Sequence, residues 1–277
     1  MSGREGSGRT VLTTGANSGI GLATVIELAR LGFDSVGSVR APAKARTVRQ
    51  AARRAGLDVR TVLLDVTDAE ACARVIADLR PFGVVNNAGY SVAGAVEDVS
   101  DAEARLAFET MVFGPIRLAR LAIPRMREAG GGRIVNVSSI YGLSTTPLTG
   151  WYQAGKHALE ALSDALRAEV ARDGIKIVLI EPGGFRTGIW EEAASELVQR
   201  RDSRYGAAYR RAERGMQVSQ PLMGEPAAVA GAVGRAMTAR RPRPRYLVGV
   251  DAQAIALWST LVPAEVKDRL YRLSLGL

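Results

Sequence analysis

A phenol and an ammonium group four residues apart are neighbours on a helix face, and Tyr152-Gln153-Ala154-Gly155-Lys156 supplies that pair. Together they can pass protons to and from a bound oxygen. A free tyrosine titrates near 10, too high for easy proton exchange at neutral pH. Lowering it by roughly three units takes about 4 kcal/mol of preferential phenolate stabilisation, and a nearby lysine charge is one source of it. Ser139, thirteen residues upstream, offers a hydroxyl to hold the reacting oxygen beside the phenol. Only Lys44, Lys156, Lys176 and Lys267 are lysines, so one placed in such a pattern stands out.

A second pattern suits an anion. Thr14-Gly15-Ala16-Asn17-Ser18-Gly19-Ile20-Gly21 lies between an apolar run and a helical stretch. Gly15 permits a tight turn, Gly19 lets a phosphate approach the backbone, and Gly21 allows close helix–strand packing. The helix N-terminus then presents free N–H groups and a positive dipole end to a pyrophosphate. No Lys-Ser or Lys-Thr follows, which argues against a P-loop. Two further turns, Asn86-Asn87-Ala88-Gly89 and Pro182-Gly183 with Thr187, also follow apolar runs.

Short apolar runs alternating with longer amphipathic stretches must position these groups, a pattern that predicts an α/β parallel sheet. The expected strands are Thr10–Thr14, Ser35–Val39, Val59–Leu64, Gly83–Asn86, Arg133–Ser138, Lys176–Glu181 and Arg245–Gly249. Helices are expected over Ile20–Leu31, closed by Gly32, and over Tyr152–Arg172, where Leu159, Leu162, Leu166 and Val170 recur at helical spacing. The fold class is therefore α/β, a doubly wound parallel sheet of about seven strands with helices on both faces. Residues 1–277 read as one domain, with an insertion at about 188–224 and a helical tail at about 251–277 divided by Pro263. Every chemical motif falls at a strand's carboxyl end or in the element leaving it, so all face the one crevice where such sheets bind ligands.

In this order and spacing, the TGxxxGxG, NNAG, Ser…YxxxK and PGxxxT elements resemble the short-chain dehydrogenase/reductase family over about Arg9–Gly249. The resemblance is to its compact single-domain branch, with hydroxysteroid- and retinol-dehydrogenase-like character in Glu181-Pro-Gly-Gly-Phe185-Arg-Thr187. It implies a Rossmann-type fold and hydride transfer between a nicotinamide and a ketone or secondary alcohol. Tyr152 then serves as acid in reduction and base in oxidation, with Ser139 on the substrate oxygen. It also implies that Lys156 holds the nicotinamide ribose. Gly15, Asn17, Ser18, Gly19, Ile20 and Gly21 match the phosphate loop, and Asp65 and Val66 the adenine contact. Asn87, Ala88 and Gly89 match the segment beside the adenosine ribose, and Pro182, Gly183 and Thr187 the nicotinamide contacts.

Cofactor choice turns on the end of the second strand. Gly37-Ser38-Val39-Arg40 has no carboxylate for a ribose 2′-hydroxyl and one guanidinium for a 2′-phosphate, so NADP(H) is expected over NAD(H). Substrate walls are expected from Tyr90, Val92, Ser139, Tyr141, Trp151 and Trp190, a set suited to a lipophilic ketone or alcohol. One departure stands out. Where many family members carry an asparagine linked to a proton path, this chain reads Met111-Val112-Phe113-Gly114. Methionine is a weak acceptor and no donor, so an enzyme relying on Ser139, Tyr152 and Lys156, an enzyme with a rerouted proton path, and a non-catalytic cofactor-binding regulator or scaffold all remain open.

Composition excludes other classes. Thirty-seven basic and 28 acidic residues leave a net charge of +9. No zinc-finger spacing or RNA-binding motif accompanies the arginine clusters at 200–214 and 240–245, so no nucleic-acid partner is expected. A single cysteine, Cys72, rules out an intrachain disulfide, and the sole histidine, His157, supports no metal site. No stretch approaches the ~18 apolar residues of a membrane span. The polar Met1–Thr10 lacks the apolar core of a signal peptide, so a cytoplasmic protein is expected. The apolar tail is expected to pack on its own domain or in a homo-oligomer, with a membrane-surface contact less favoured.

Overall fold

Leu12, Val84, Ile134 and Ile177 pack with the helices on one face of the sheet, while their strand neighbours Val11, Val85, Val135 and Val178 pack on the other. Successive strand side chains point to opposite faces. A sheet covered on both sides therefore needs unbroken apolar runs, as a parallel sheet does. The computed structural model describes residues 8–277, so the reading of Met1–Thr10 falls mostly outside it. Its seven strands are β1 (Thr10–Thr13), β2 (Asp34–Val39), β3 (Arg60–Leu63), β4 (Gly83–Asn86), β5 (Gly132–Val137), β6 (Ile175–Pro182) and β7 (Arg245–Val248). All pair in parallel in the order β3-β2-β1-β4-β5-β6-β7. The register lines Val36, Leu12, Val84, Ile134 and Ile177 in one row across the sheet, which is the spine of the larger core.

Eleven α-helices are described: α1 (Gly19–Arg30), α2 (Pro42–Arg54), α3 (Ala69–Leu79), α4 (Asp101–Phe108), α5 (Gly114–Glu128), α6 (Gly150–Glu169), α7 (Ile189–Gln199), α8 (Gly206–Ser219), α9 (Pro226–Thr238), α10 (Val250–Leu261) and α11 (Ala264–Leu275). Helix α1 stops where expected. Gly32 adopts φ 88° and the Phe33 amide donates to the Leu28 carbonyl at 3.1 Å, closing the last turn. Pro263 breaks the tail between α10 and α11. The chain direction across the sheet reverses between β1 and β4, and the crevice at that switch point is where the glycine turn and the Asn-Asn-Ala-Gly turn meet.

Candidate active site

Close backbone approach governs the first half of the site. Gly15 sits at φ 66°, and a Cβ there would lie 3.0 Å from Ala88 Cα. A Cβ on Gly21 would run into the Gly15 carbonyl oxygen. Thr14, the first residue of the glycine turn, ties the two turns together. Its hydroxyl accepts from the amides of Asn87 at 3.0 Å and Ala88 at 2.9 Å, and the Asn87 side chain donates back to the Thr14 carbonyl at 2.9 Å. Asn87 thus braces the loop. Helix α1 has no side chain capping its first turn, and Ser18, Gly19, Ile20 and Gly21 line a cavity of about 900 Å³. Uncapped amides beside such a cavity fit the pyrophosphate of a dinucleotide.

The same cavity runs past Arg40 at the end of β2 and Lys44 in the first turn of α2. Arg40 is exposed and makes no ion pair among the described residues. Lys44 was missed because it lies outside the glycine turn, although its spacing from Arg40 was readable. Asp65 and Val66 also line the cavity. Burial raises the Asp65 carboxyl. Hydrogen bonds from the Thr67 amide and hydroxyl, with the Arg40 charge, outweigh that and hold it below the usual carboxylate range.

At the far end of the cavity stand Ser139, Tyr141, Tyr152 and Lys156. Helix α6 carries the phenol and the ammonium on one face, and Lys156 Nζ lies 5.6 Å from the Tyr152 ring centroid while donating to the Val137 carbonyl at 2.9 Å. Tyr152 opens on the cavity but is packed densely enough that burial pushes its phenol up to about 12, opposed by a hydrogen bond with Ser139. Burial pushes Lys156 down to about 8, opposed by the Glu160 carboxylate one turn on. These directions run against the expected lowering of the phenol, in which the lysine charge is one source: the packing that brings the two together disfavours charge on both.

Met111 lies in a π-helical turn, Glu109–Phe113, and is fully buried. Its side chain packs against Gly89 and Gly155, between the Asn-Asn-Ala-Gly turn and α6. The missing asparagine is thus replaced by a dry contact at the back of the site.

Asn17, Asn87, Ala88, Gly89, Tyr90, Pro182, Gly183, Thr187 and Trp190 all line the cavity. Two expected substrate residues do not. Val92 is buried with Val99, Ala104 and Ala107, because its side chain points into the packing beneath α4. Trp151 turns away to donate to the Val96 carbonyl at 3.2 Å and packs edge-on against Phe108. In their place the insertion and tail supply Leu222, Val250, Asp251 and Ile255. Asp251 accepts from the Gly184 amide at 2.5 Å and so pins the start of α10 to the loop after β6. No motif marked these residues; the signals were the insertion, for Leu222, and the apolar tail, for Ile255. No group of metal-ligating side chains occurs among the described residues.

A dinucleotide cradle continuous with a serine–tyrosine–lysine cluster at the switch point of a doubly wound sheet defines a nicotinamide-dependent oxidoreductase. Comparison with known proteins is more specific. Residues 9–197 match the family model described as short chain dehydrogenase. The oxidoreductase YusZ of Bacillus subtilis (strain 168) is 35% identical over 264 residues, covering 92% of this chain and 94% of that protein. The NADPH-dependent 3-dehydrocapnine reductase of Ornithobacterium rhinotracheale is 29% identical over 95% of this chain and 96% of its own. Human retinol dehydrogenase 5 is 29% identical over 93% of this chain and 86% of its own. Among solved structures, a short-chain dehydrogenase from Streptomyces avermitilis superposes with a TM-score of 0.76 at 30% identity, covering 95% of each chain. The chain belongs to the short-chain dehydrogenase family, as an oxidoreductase acting on alcohol and carbonyl groups.

Proposed function

We propose that the protein is an NADP(H)-dependent reductase of lipophilic ketones, and a dehydrogenase of the matching secondary alcohols. The observation that carries this reading is the convergence of Ser139, Tyr152 and Lys156 on one wall of the cavity that begins at the glycine turn. When bound, the nicotinamide supplies the hydride. The chain supplies the rest. Ser139 holds the carbonyl oxygen beside Tyr152, whose phenol is protonated at neutral pH and gives up its proton as the oxygen gains charge. Lys156, charged below about 8, favours the phenolate that remains. In oxidation the same groups act in reverse, the Tyr152 phenolate taking the hydroxyl proton as the hydride leaves.

Arg40 and Lys44, with no carboxylate at the end of β2, support NADP(H) through charge-assisted contacts to a 2′-phosphate. A relative named as NADPH-dependent agrees with this. The substrate end of the cavity carries Tyr141, Trp190, Leu222, Val250 and Ile255, an apolar wall suited to a lipophilic carbonyl. The name retinol dehydrogenase, borne by one relative, points the same way. The non-catalytic alternative rests on Met111 alone. Measuring NADPH and NADH consumption across aliphatic, polycyclic and hydrophilic ketones tests the reading. NADPH-linked turnover rising with substrate lipophilicity supports it, and a preference for hydrophilic ketones or for NADH overturns it.

A further inference from the structure

We propose that the apolar face of α10 and α11 seats on an anionic lipid bilayer, with the cavity mouth opening toward the lipid. Along α10, Val250, Leu257 and Leu261 share one face by helical spacing and are 87%, 62% and 69% exposed. Along α11, Val266, Leu270 and Leu273 repeat the pattern, with Leu273 72% exposed. Two consecutive helices therefore turn apolar stripes to solvent, more apolar surface than a soluble chain leaves uncovered without purpose. The stripes reach the mouth. Val250 and Leu222 are both highly exposed and both line the cavity.

Charge selects the occupant. Residues 200–277 hold fourteen Lys and Arg against six Asp and Glu, which is eight of the chain's nine excess positive charges. Arg210, Arg211 and Arg214 on α8, and Arg269 and Arg272 on α11, are exposed and make no ion pair among the described residues. Helix α11 packs on α8 through Leu275, so these arginines flank the apolar stripes. A second copy seated on this face would set the same unpaired arginines against one another, whereas an anionic membrane surface complements them. Apolar residues flanked by basic ones are the makeup of helices that lie in a bilayer interface. The proposal rests on the lipophilic-substrate reading for its purpose, since a substrate dissolved in the bilayer would enter without crossing water.

The test is flotation of the full chain with vesicles of phosphatidylcholine alone or with a third phosphatidylserine, with no substrate present. Binding to the anionic vesicles that weakens with salt is expected. Leu270→Glu/Leu273→Glu should cut it at least about tenfold, and Arg210→Glu/Arg214→Glu should do so as well. Far-UV circular dichroism and turnover of a small water-soluble ketone should be unchanged in both variants. No flotation, or equal flotation with both vesicle types, overturns the proposal. So does a wild-type dimer that Leu270→Glu/Leu273→Glu splits into monomers, because a second copy would then cover the face. Vesicle binding by a protein that reduces no lipophilic ketone would sink the substrate reading and leave the docking itself standing.

Discussion

The two ends of the cavity are built from different materials. At the cofactor end the walls are main chain: turns leaving β1, β4 and β6, and the first turn of α1, are brought so close that Gly21 cannot carry a Cβ without striking a carbonyl. At the substrate end the walls are side chains of helices α7, α8 and α10 and of the loops joining them. A main-chain cradle tolerates few sequences, because each close approach demands glycine or a particular hydrogen bond. A side-chain wall tolerates many, because any apolar group of suitable size will fill it. One end can therefore be shared across a family while the other is free to set specificity.

Substitutions at the two ends should separate these behaviours. Gly21→Val at the cofactor end should lower NADPH affinity more than about 100-fold and reduce thermal stability, since it displaces the Gly15 carbonyl and the Asn87 side chain that braces the turn. Fluorescence titration and a thermal melt check both effects; near-normal affinity would show that the cradle is looser than described. Arg40→Ala with Lys44→Ala should weaken NADPH binding by about 10- to 100-fold and leave NADH binding nearly unchanged, the loss expected for charge-assisted contacts. An unchanged NADPH/NADH ratio would remove Arg40 from cofactor selection.

The proton-transfer groups sit where the two ends meet. Lys156 loses its charge as pH rises through about 8, far below the titration of Tyr152 near 12. Reductive kcat/KM, which reports free-enzyme groups, should be level from pH 6 to 7.5 and fall by about tenfold per unit above 8. A profile level to pH 10 would mean that the lysine charge has no part in the reaction. The smallest effects belong to the substrate end. Trp190→Ala should raise KM for a bulky ketone several-fold, because Trp190 lines the cavity, and should lower Tm modestly, because its indole also donates to the Phe185 carbonyl at 2.9 Å. Trp151→Ala should lower Tm modestly and leave KM nearly unchanged, because its side chain holds the Val96 carbonyl and Phe108 outside the cavity.

This division also explains what was legible in the residues. All seven strands and their doubly wound class follow from apolar runs that a doubly covered sheet requires, and strand boundaries agree to within two residues. The glycine turn, Asn-Asn-Ala-Gly, Ser139 and the Tyr152–Lys156 pair were visible because their chemistry fixes both residue type and spacing. Val92 and Trp151 were misplaced because one step along a loop or helix turns a side chain from the cavity into the core, and apolar identity is the same in either place. Val250 and Ile255 were missed because they reach the cavity only through the path of the tail, which Asp251 fixes by a contact 67 residues away in sequence. The downward shift of Lys156 and the upward shift of Tyr152 depend on packing density, which spacing on a helix does not report.

Whether Tyr152 gives the proton is decided by single-turnover reduction of a lipophilic ketone by NADPH, with Tyr152→Phe beside the wild type. The variant should oxidise NADPH about 1000-fold more slowly or worse, with NADPH binding within a factor of about two of wild type. A variant that binds NADPH equally well and keeps its rate within tenfold would contradict proton donation by Tyr152, placing the donor elsewhere in the cavity.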